Sequence, residues 1–158
     1  MIHYFNGDAT KPRGDGPKIL AHVANTSGGW GRGFVLAISR RWPEPERQYR
    51  AWHKSKDLFV LGAVQFVRVS NDIVVANMLA QCGYATSTKP AIRYDALKEC
   101  LERVAEEATG SKATVHMPRI GCGLAGGKWE GVEPIIATTM KDVEVTVYDL
   151  PEEWEWKE

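Results

Sequence analysis

The segment Met117-Pro118-Arg119-Ile120-Gly121-Cys122-Gly123-Leu124-Ala125-Gly126-Gly127 decides how this chain is read. It follows a short apolar run, Ala113 to His116, and leads into a segment opening at Trp129-Glu130. Four glycines fall within the seven residues from 121 to 127. Glycine loses the most backbone freedom on ordering, so such a stretch suits neither a helix nor a strand. It does permit close backbone approach to a ligand, with successive N–H groups turned inward. Beside a helix N-terminus, that concavity favours anions and phosphates in particular. A second loop of this kind lies upstream, Ser27-Gly28-Gly29-Trp30-Gly31-Arg32-Gly33-Phe34, between the apolar run Ile19 to Ala24 and a helical pattern. Either loop by itself reads equally as a tight connection. The pair, each after a strand and before a helix, points to a diphosphate held between two backbone cradles.

The chain has 158 residues, enough for one domain with a real core. Its 20 basic and 20 acidic side chains balance, so no global field draws it to nucleic acid or membrane. Cys82, Cys100 and Cys122 are odd in number and fit no metal-ligand spacing. They read as reduced thiols of a cytoplasmic protein. Neither a metal nor a cofactor is expected. The opening residues, Met1 to Asn6, lack the basic and long apolar regions of a secretory signal, and no apolar run is long enough to span a bilayer.

Ile2 to Asn6 reads as a strand closed by Gly7-Asp8, and Ile19 to Ala24 as a short buried strand. Phe34 to Arg41 reads as a helix ended by Trp42-Pro43, and Glu46 to Lys56 as a second helix after Pro43 and Pro45. Val64 to Val69 and Ile73 to Leu79, joined by Ser70-Asn71-Asp72, read as a hairpin. Tyr94, Leu97, Leu101, Val104 and Ala108 recur at helical spacing. A strand at Ala113 to His116, a helix at Trp129 to Met140 and a strand at Val145 to Tyr148 follow. Strands alternating with helices, plus one hairpin, predict an α/β fold: a three-layer α/β/α sandwich around a mixed, mostly parallel sheet. Residues 1–150 form one domain in this reading, and 151–158 an acidic tail carrying Trp154 and Trp156. In such sheets ligands sit at the carboxyl ends of the strands, where both glycine loops fall.

Ala21-His22-Val23-Ala24-Asn25-Thr26, the Gly28 to Gly33 loop, Leu61-Gly62-Ala63-Val64-Gln65, Ala76-Asn77-Met78, Ile92-Arg93-Tyr94-Asp95-Ala96-Leu97 and the Pro118 to Gly127 loop, in this order and spacing, resemble a macrodomain, the ADP-ribose-binding α/β/α module. The resemblance runs from Gly7-Asp8-Ala9-Thr10 to Tyr148-Asp149-Leu150. It is nearest to the branch of terminal ADP-ribose protein glycohydrolase and yeast-type ADP-ribose 1″-phosphate phosphatase. It implies that Asp8, with Ala9, accepts a hydrogen bond from the adenine amino group, a charged acceptor for a specific donor. It implies that Asn25 reaches the distal ribose, and that Gly31, Arg32 and Gly33 wrap that ribose and the proximal phosphate. Arg119, Gly121, Cys122, Gly123, Leu124, Ala125 and Gly126 would cradle the diphosphate, and Tyr148 would meet the adenine. Each role has a plain structural rival: a turn carboxylate for Asp8, a loop-bonding amide for Asn25, a solvent-facing Arg32, a packed Trp30 and a core Tyr148.

Glycohydrolases of this branch resemble one another in a lysine that attacks the distal ribose and an aspartate that resolves the adduct. Here the aspartate position is Ala125, and the strand end near Ala76-Asn77-Met78-Leu79 carries no lysine. The aspartate that other macrodomain hydrolases place after the first glycine loop is replaced by Phe34. A covalent lysine mechanism is therefore not expected. The expected catalytic residues are His22, whose ordinary pKa suits acid–base work near neutrality, and Asn25. A core histidine bonded to backbone is the rival reading of His22. Cys122 would have N–H groups nearby to lower its pKa, with a small inert thiol as the alternative. Gln81, His116 and Asn77 read as water-positioning or core polar residues.

The expected function is binding of ADP-ribose or a derivative, with hydrolysis of a group at the distal ribose, the 1″-phosphate being the favoured leaving group. A reader without turnover is the alternative. A third reading, recognition of an ADP-ribosylated macromolecule or a nucleic-acid end, requires Lys11, Arg13, Lys18 and Arg32 to form one basic face beside the pocket.

Overall fold

The computed structural model describes residues 1–83 and 89–150, the side chain of Leu124 excepted. The expected tail, 151–158, lies outside the described residues. Six strands form a single sheet: β1 (Ile2–Asn6), β2 (Lys18–Asn25), β3 (Val64–Arg68), β4 (Ile73–Gln81), β5 (Thr114–Met117) and β6 (Val145–Asp149). Four helices accompany them: α1 (Phe34–Arg41), α2 (Glu44–Ser55), α3 (Tyr94–Ser111) and α4 (Trp129–Thr139). The sheet order is β1-β6-β5-β2-β4-β3. All neighbours run parallel except the β3–β4 hairpin. The mixed, mostly parallel sheet expected from the alternation of strands and helices is therefore present.

Strand parity builds the three layers. Ile19 and Ala21 of β2, with Ala76, Met78 and Ala80 of β4, join a core that includes Leu97, Leu101 and Val104 of α3 and Val132 and Ile136 of α4. The opposite parity, Leu20 and Ala24 with Val75 and Leu79, packs against Val35 and Ile38 of α1 and Tyr49 of α2. Each aliphatic side chain removed from water in these cores contributes about 1.5–3 kcal/mol, so both faces of the sheet are held. His22 and Asn77 share the second parity and are buried with it.

Boundary shifts have local causes. Helix α2 starts at Glu44 rather than Glu46, because Pro45 occupies the first turn, where a missing N–H costs nothing. Strand β5 starts at Thr114 rather than Ala113, because the Ala113 N–H closes the end of α3 on the Ala108 carbonyl at 2.8 Å. The glycine loop after β5 contains one turn of 3₁₀ helix, Gly123–Ala125.

Candidate functional site

Because β1, β2, β4, β5 and β6 all run the same way, their carboxyl ends meet along one edge of the sheet. A cavity of about 500 Å³ opens there, in the usual range of small-ligand sites. Its lining comes from the end of β1 (Gly7, Ala9), from β2 (His22, Val23), from the first glycine loop and the start of α1 (Arg32, Gly33, Phe34, Val35), from the end of β4 (Gln81), from the second loop (Pro118 to Gly123, and Ala125) and from the end of β6 (Tyr148, Asp149, Leu150). Both glycine loops thus face one pocket. Among the described residues, no helix is long and apolar enough to cross a membrane.

The second loop is shaped by its own backbone. The Gly127 N–H reaches the Gly121 carbonyl at 2.8 Å, and the Gly126 N–H reaches Gly123 at 2.9 Å. The Ala125 carbonyl accepts from Ala91 and Ile92 at 2.8 and 3.0 Å, which ties the loop to the segment before α3. The N–H groups of Gly121 and Cys122 take no backbone acceptor among the described residues. A Cβ at Gly127 would lie 2.3 Å from the Gly121 carbonyl oxygen, so only glycine fits that closure. Gly123 differs: its φ is +67° and a Cβ there would meet no protein atom within 4 Å.

The first loop ends at Gly33, the residue before α1, and no side chain caps that helix or places a carboxylate in its first turn. Uncapped N–H groups carry partial positive charge and favour an anion. Arg32 is exposed, lines the cavity and has no ion-pair partner among the described residues. Arg119 also lines it but is committed: Nε and Nη2 donate to the two Asp149 carboxylate oxygens at 2.6 and 2.9 Å. Its guanidinium lies over the edge-to-face pair of Tyr4 and Trp129, 5.2 and 5.0 Å from their centroids. The Arg119 hydrogen bond holds the Asp149 carboxyl below the usual range.

His22 is buried in the cavity wall. Its Nε2 lies 2.5 Å from Asn77 Oδ1, while Nδ1, itself buried, has no hydrogen-bond partner within bonding geometry among the described residues. Trp30 meets the ring edge-on with centroids 5.4 Å apart. Burial pushes the His22 pKa down to about 4, against the pull of Asn77 and of the Val23 backbone, so the ring is neutral at physiological pH. His116 is likewise lowered to about 4, first by burial and then by Lys18. Its Nδ1 meets the Tyr148 hydroxyl at 2.7 Å, and Nε2 meets Thr114 Oγ1 at 2.7 Å. The Tyr148 hydroxyl also accepts the Arg13 N–H at 3.0 Å, so it is spent on the framework while its ring lines the pocket.

Of the residues singled out in the sequence, His22, Ala9, Arg32, Gly33, Gln81, Arg119, Gly121, Cys122, Gly123, Ala125 and Tyr148 come together at this cavity. Asn25 does not line it. Its Oδ1 accepts from the N–H groups of Ser27 and Gly83 at 2.9 and 3.0 Å, and Nδ2 donates to the Gly83 carbonyl at 2.7 Å. That amide staples two loops together. Asp8 is also outside the lining; its Oδ1 accepts from Thr10 N and Oγ1 at 2.8 and 2.7 Å, an Asx turn. Gly31 and Gly126 stand off the wall, and the Leu124 side chain lies outside the described residues. Trp30 packs inside, its Nε1 donating to Ser39 Oγ at 2.7 Å. Burial raises the Cys122 pKa, which overrides the lowering expected from nearby N–H groups. Lys11, Arg13, Lys18 and Arg32 form no common face: Lys18 is buried at the amino end of β2, bonded to Asp72 at 3.0 Å, and Arg13 lies over the Phe5 ring at 4.0 Å. Sequence reasoning left Val23, Val35 and Gly7 out of the wall. Val23 was findable as the neighbour of His22 near the carboxyl end of β2.

No family model matches the chain. It is 30% identical over 147 residues to the ADP-ribose 1″-phosphate phosphatase of Candida albicans, covering 84% of this chain and 90% of that protein. It is 52% identical to a solved macrodomain protein from Streptomyces coelicolor, covering 94% and 99% of the two chains with a TM-score of 0.84. The chain belongs to the macrodomain family. A solved Bacteroides thetaiotaomicron protein of unknown function matches this macrodomain at 56% identity and a TM-score of 0.92, over 95% and 98% of the chains. The macrodomain is also 34% identical over 143 residues to Chromodomain-helicase-DNA-binding protein 1-like from Danio rerio, but it spans only 14% of that protein's length.

Two measurements follow from this geometry. Gly127→Ala is expected to lower stability by roughly 1–3 kcal/mol through the clash with the Gly121 carbonyl. Gly123→Ala should cost only about 1–2 kcal/mol of left-handed strain, while weakening ligand binding more than Gly127→Ala does per unit of stability lost. Urea unfolding and ligand titration of both variants check this, and equal effects of the two would remove Gly123 from the ligand contact. The second concerns pH. His22 and His116 titrate near 4 in the folded chain and near 6.5 when unfolded. Their contribution is complete above about 6.5 and is lost as the pH falls towards 4, by up to roughly 3 kcal/mol per histidine. Unfolding free energies measured between pH 8 and pH 4.5 should decline across that window, and less steeply in His116→Gln. A flat profile would show that neither ring is held neutral by the fold.

Proposed function

We propose that this macrodomain binds ADP-ribose in the cavity at the carboxyl edge of the sheet and hydrolyses a phosphate ester at the distal ribose. The observation that carries the reading is the convergence, on one pocket, of two glycine loops, the uncapped start of α1, the unpaired Arg32 and the buried His22, whose Nδ1 has no partner among the described residues. The yeast-type phosphatase relative acts on ADP-ribose 1″-phosphate by its name, and the chain spans nine-tenths of that protein.

The backbone cradle holds the diphosphate, with Gly121, Cys122 and Gly123 presenting main-chain groups. Asp8, oriented by its bonds to Thr10, takes the adenine amino group through its carboxylate, and Tyr148 forms part of the adenine wall. Arg32 and the first turn of α1 supply positive charge where the 1″-phosphate gathers negative charge in the transition state. Neutral His22 accepts a proton from water as the water oxygen bonds to phosphorus. The bond between phosphorus and the 1″ oxygen breaks, its electron pair stays on the sugar oxygen, and the proton passes there to give ADP-ribose and inorganic phosphate. Asn25 acts by holding the loops around the distal ribose. Among the described residues the lining contains no lysine, and its one carboxylate, Asp149, is taken by Arg119. That supports a water-mediated route over a lysine adduct. The same feature favours a reader as the second possibility, in which the loops bind ADP-ribose without turnover.

Calorimetric titration with ADP-ribose, followed by phosphate release from ADP-ribose 1″-phosphate on the same sample, tests this. Binding with release is expected; binding without release would leave the reader, and no binding would defeat the assignment of the pocket. Asp8→Asn keeps the turn to Thr10 but loses the charge, and should weaken ADP-ribose binding by roughly 1.5–3 kcal/mol with thermal stability unchanged. Equal affinity in that variant would move adenine recognition away from Asp8.

A further inference from the structure

Three polar side chains stand in one cross-strand row of the sheet. Gln65 of β3 is directly opposite Asn77 of β4, and Asn77 is directly opposite His22 of β2. Asn77 and His22 are fully buried. The Asn77 Nδ2 donates to the Pro45 carbonyl at 3.2 Å and to Gln65 Oε1 at 3.0 Å, and Gln65 Nε2 donates to the Gln48 carbonyl at 3.0 Å.

The polarity of this row is not free to reverse. The backbone carbonyls of Pro45 and Gln48, both on α2, can only accept. The group of Asn77 facing Pro45 must therefore be the NH₂, and the group of Gln65 facing Gln48 must be its NH₂. That leaves the Asn77 oxygen facing His22 Nε2, an acceptor that requires an N–H. A neutral imidazole with its proton on Nε2 keeps a bare lone pair on Nδ1, the one buried side-chain atom among the described residues with no partner. The residues packed on the ring, Asn77, Trp30 and Phe34, carry no charge. The charged groups of the cavity wall are Arg32 and the paired Arg119 and Asp149.

We propose that Asn77, oriented by the Pro45 carbonyl with Gln65 as its second acceptor, is a positioning residue that holds His22 as the Nε2–H tautomer, which leaves Nδ1 as the ring's acceptor for a hydroxyl or water of the site. This rests on the reading of the cavity as the ADP-ribose site, and it assigns the polarity of that site to helix α2, which does not line it. An imidazole of the opposite tautomer would present an N–H and could not take a proton from water; an error of tautomer at a catalytic histidine costs several orders of magnitude in rate.

Nitrogen NMR of the full chain labelled with ¹⁵N-histidine, with His22→Gln used to assign the signals, tests the tautomer directly. The free protein should show a protonated Nε2 and an unprotonated Nδ1, and saturating ADP-ribose should move the Nδ1 signal while Nε2 stays. Asn77→Asp, whose carboxylate favours a doubly protonated ring, should protonate Nδ1 near neutral pH. It should lower kcat for phosphate release by at least about tenfold with little change in KM. If Asn77→Asp does not fold, the parent spectra, free and with ADP-ribose, decide. A parent protein protonated on Nδ1, or an Nδ1 signal unmoved by bound ADP-ribose, would overturn the proposal. Failure to bind ADP-ribose at all would defeat the reading of the cavity instead, and the free-protein signals would still report the relay.

Discussion

Five strands of this sheet run parallel, and the rest of the molecule depends on that constraint. A parallel strand must leave the sheet at the same edge as its neighbours and return by a crossover. Every strand-to-helix connection on that edge then arrives at the same place, with backbone groups that have run out of ladder partners. Two of those connections are glycine loops, and a third, after β1, carries Gly7 and Ala9. The cavity is therefore a consequence of the topology. What the residues decide is its chemistry.

That chemistry is divided between backbone and side chains. The second loop is closed by Gly127 against Gly121 and anchored by Ala125 to the segment before α3, so its shape exists without a ligand. A cradle formed in advance does not spend binding energy on its own ordering. The two arginines in the wall do different work. Arg119 rests on two rings and is bound to Asp149, which ties the second loop to the end of β6. Arg32 has no such anchor among the described residues and lines the cavity with its charge unpaired.

The helices and strands were legible in the sequence because the apolar periodicity is strong; each expected element is present, and the shifts at Glu44 and Thr114 come from proline chemistry and a helix cap. The two glycine loops were legible for the same reason, as composition that fits no regular element. Side-chain commitments were not. Nothing in the string shows that Asn25 is spent on Ser27 and Gly83, or that Asp8 turns back on Thr10. Those bonds are set by loops that approach one another only in the fold. Nor could the chain show Lys18 buried at the far end of β2, which removes the expected basic face.

The row from Gln65 through Asn77 to His22 shows how register turns a weak signal into a constrained one. In the sequence the three residues are 55 positions apart at most and share no motif. In the sheet they are nearest cross-strand neighbours, and their amides can be oriented one way only, because Pro45 and Gln48 offer carbonyls. A buried polar chain is costly unless each member is satisfied. Here the satisfaction runs inward from α2 and ends at one nitrogen without a partner. Burying a lone pair without a donor is unfavourable. The fold leaves one buried side-chain nitrogen without a partner among the described residues, and it lies on a histidine of the cavity wall rather than deep in either core; under the proposed reading a bound donor would offset that cost.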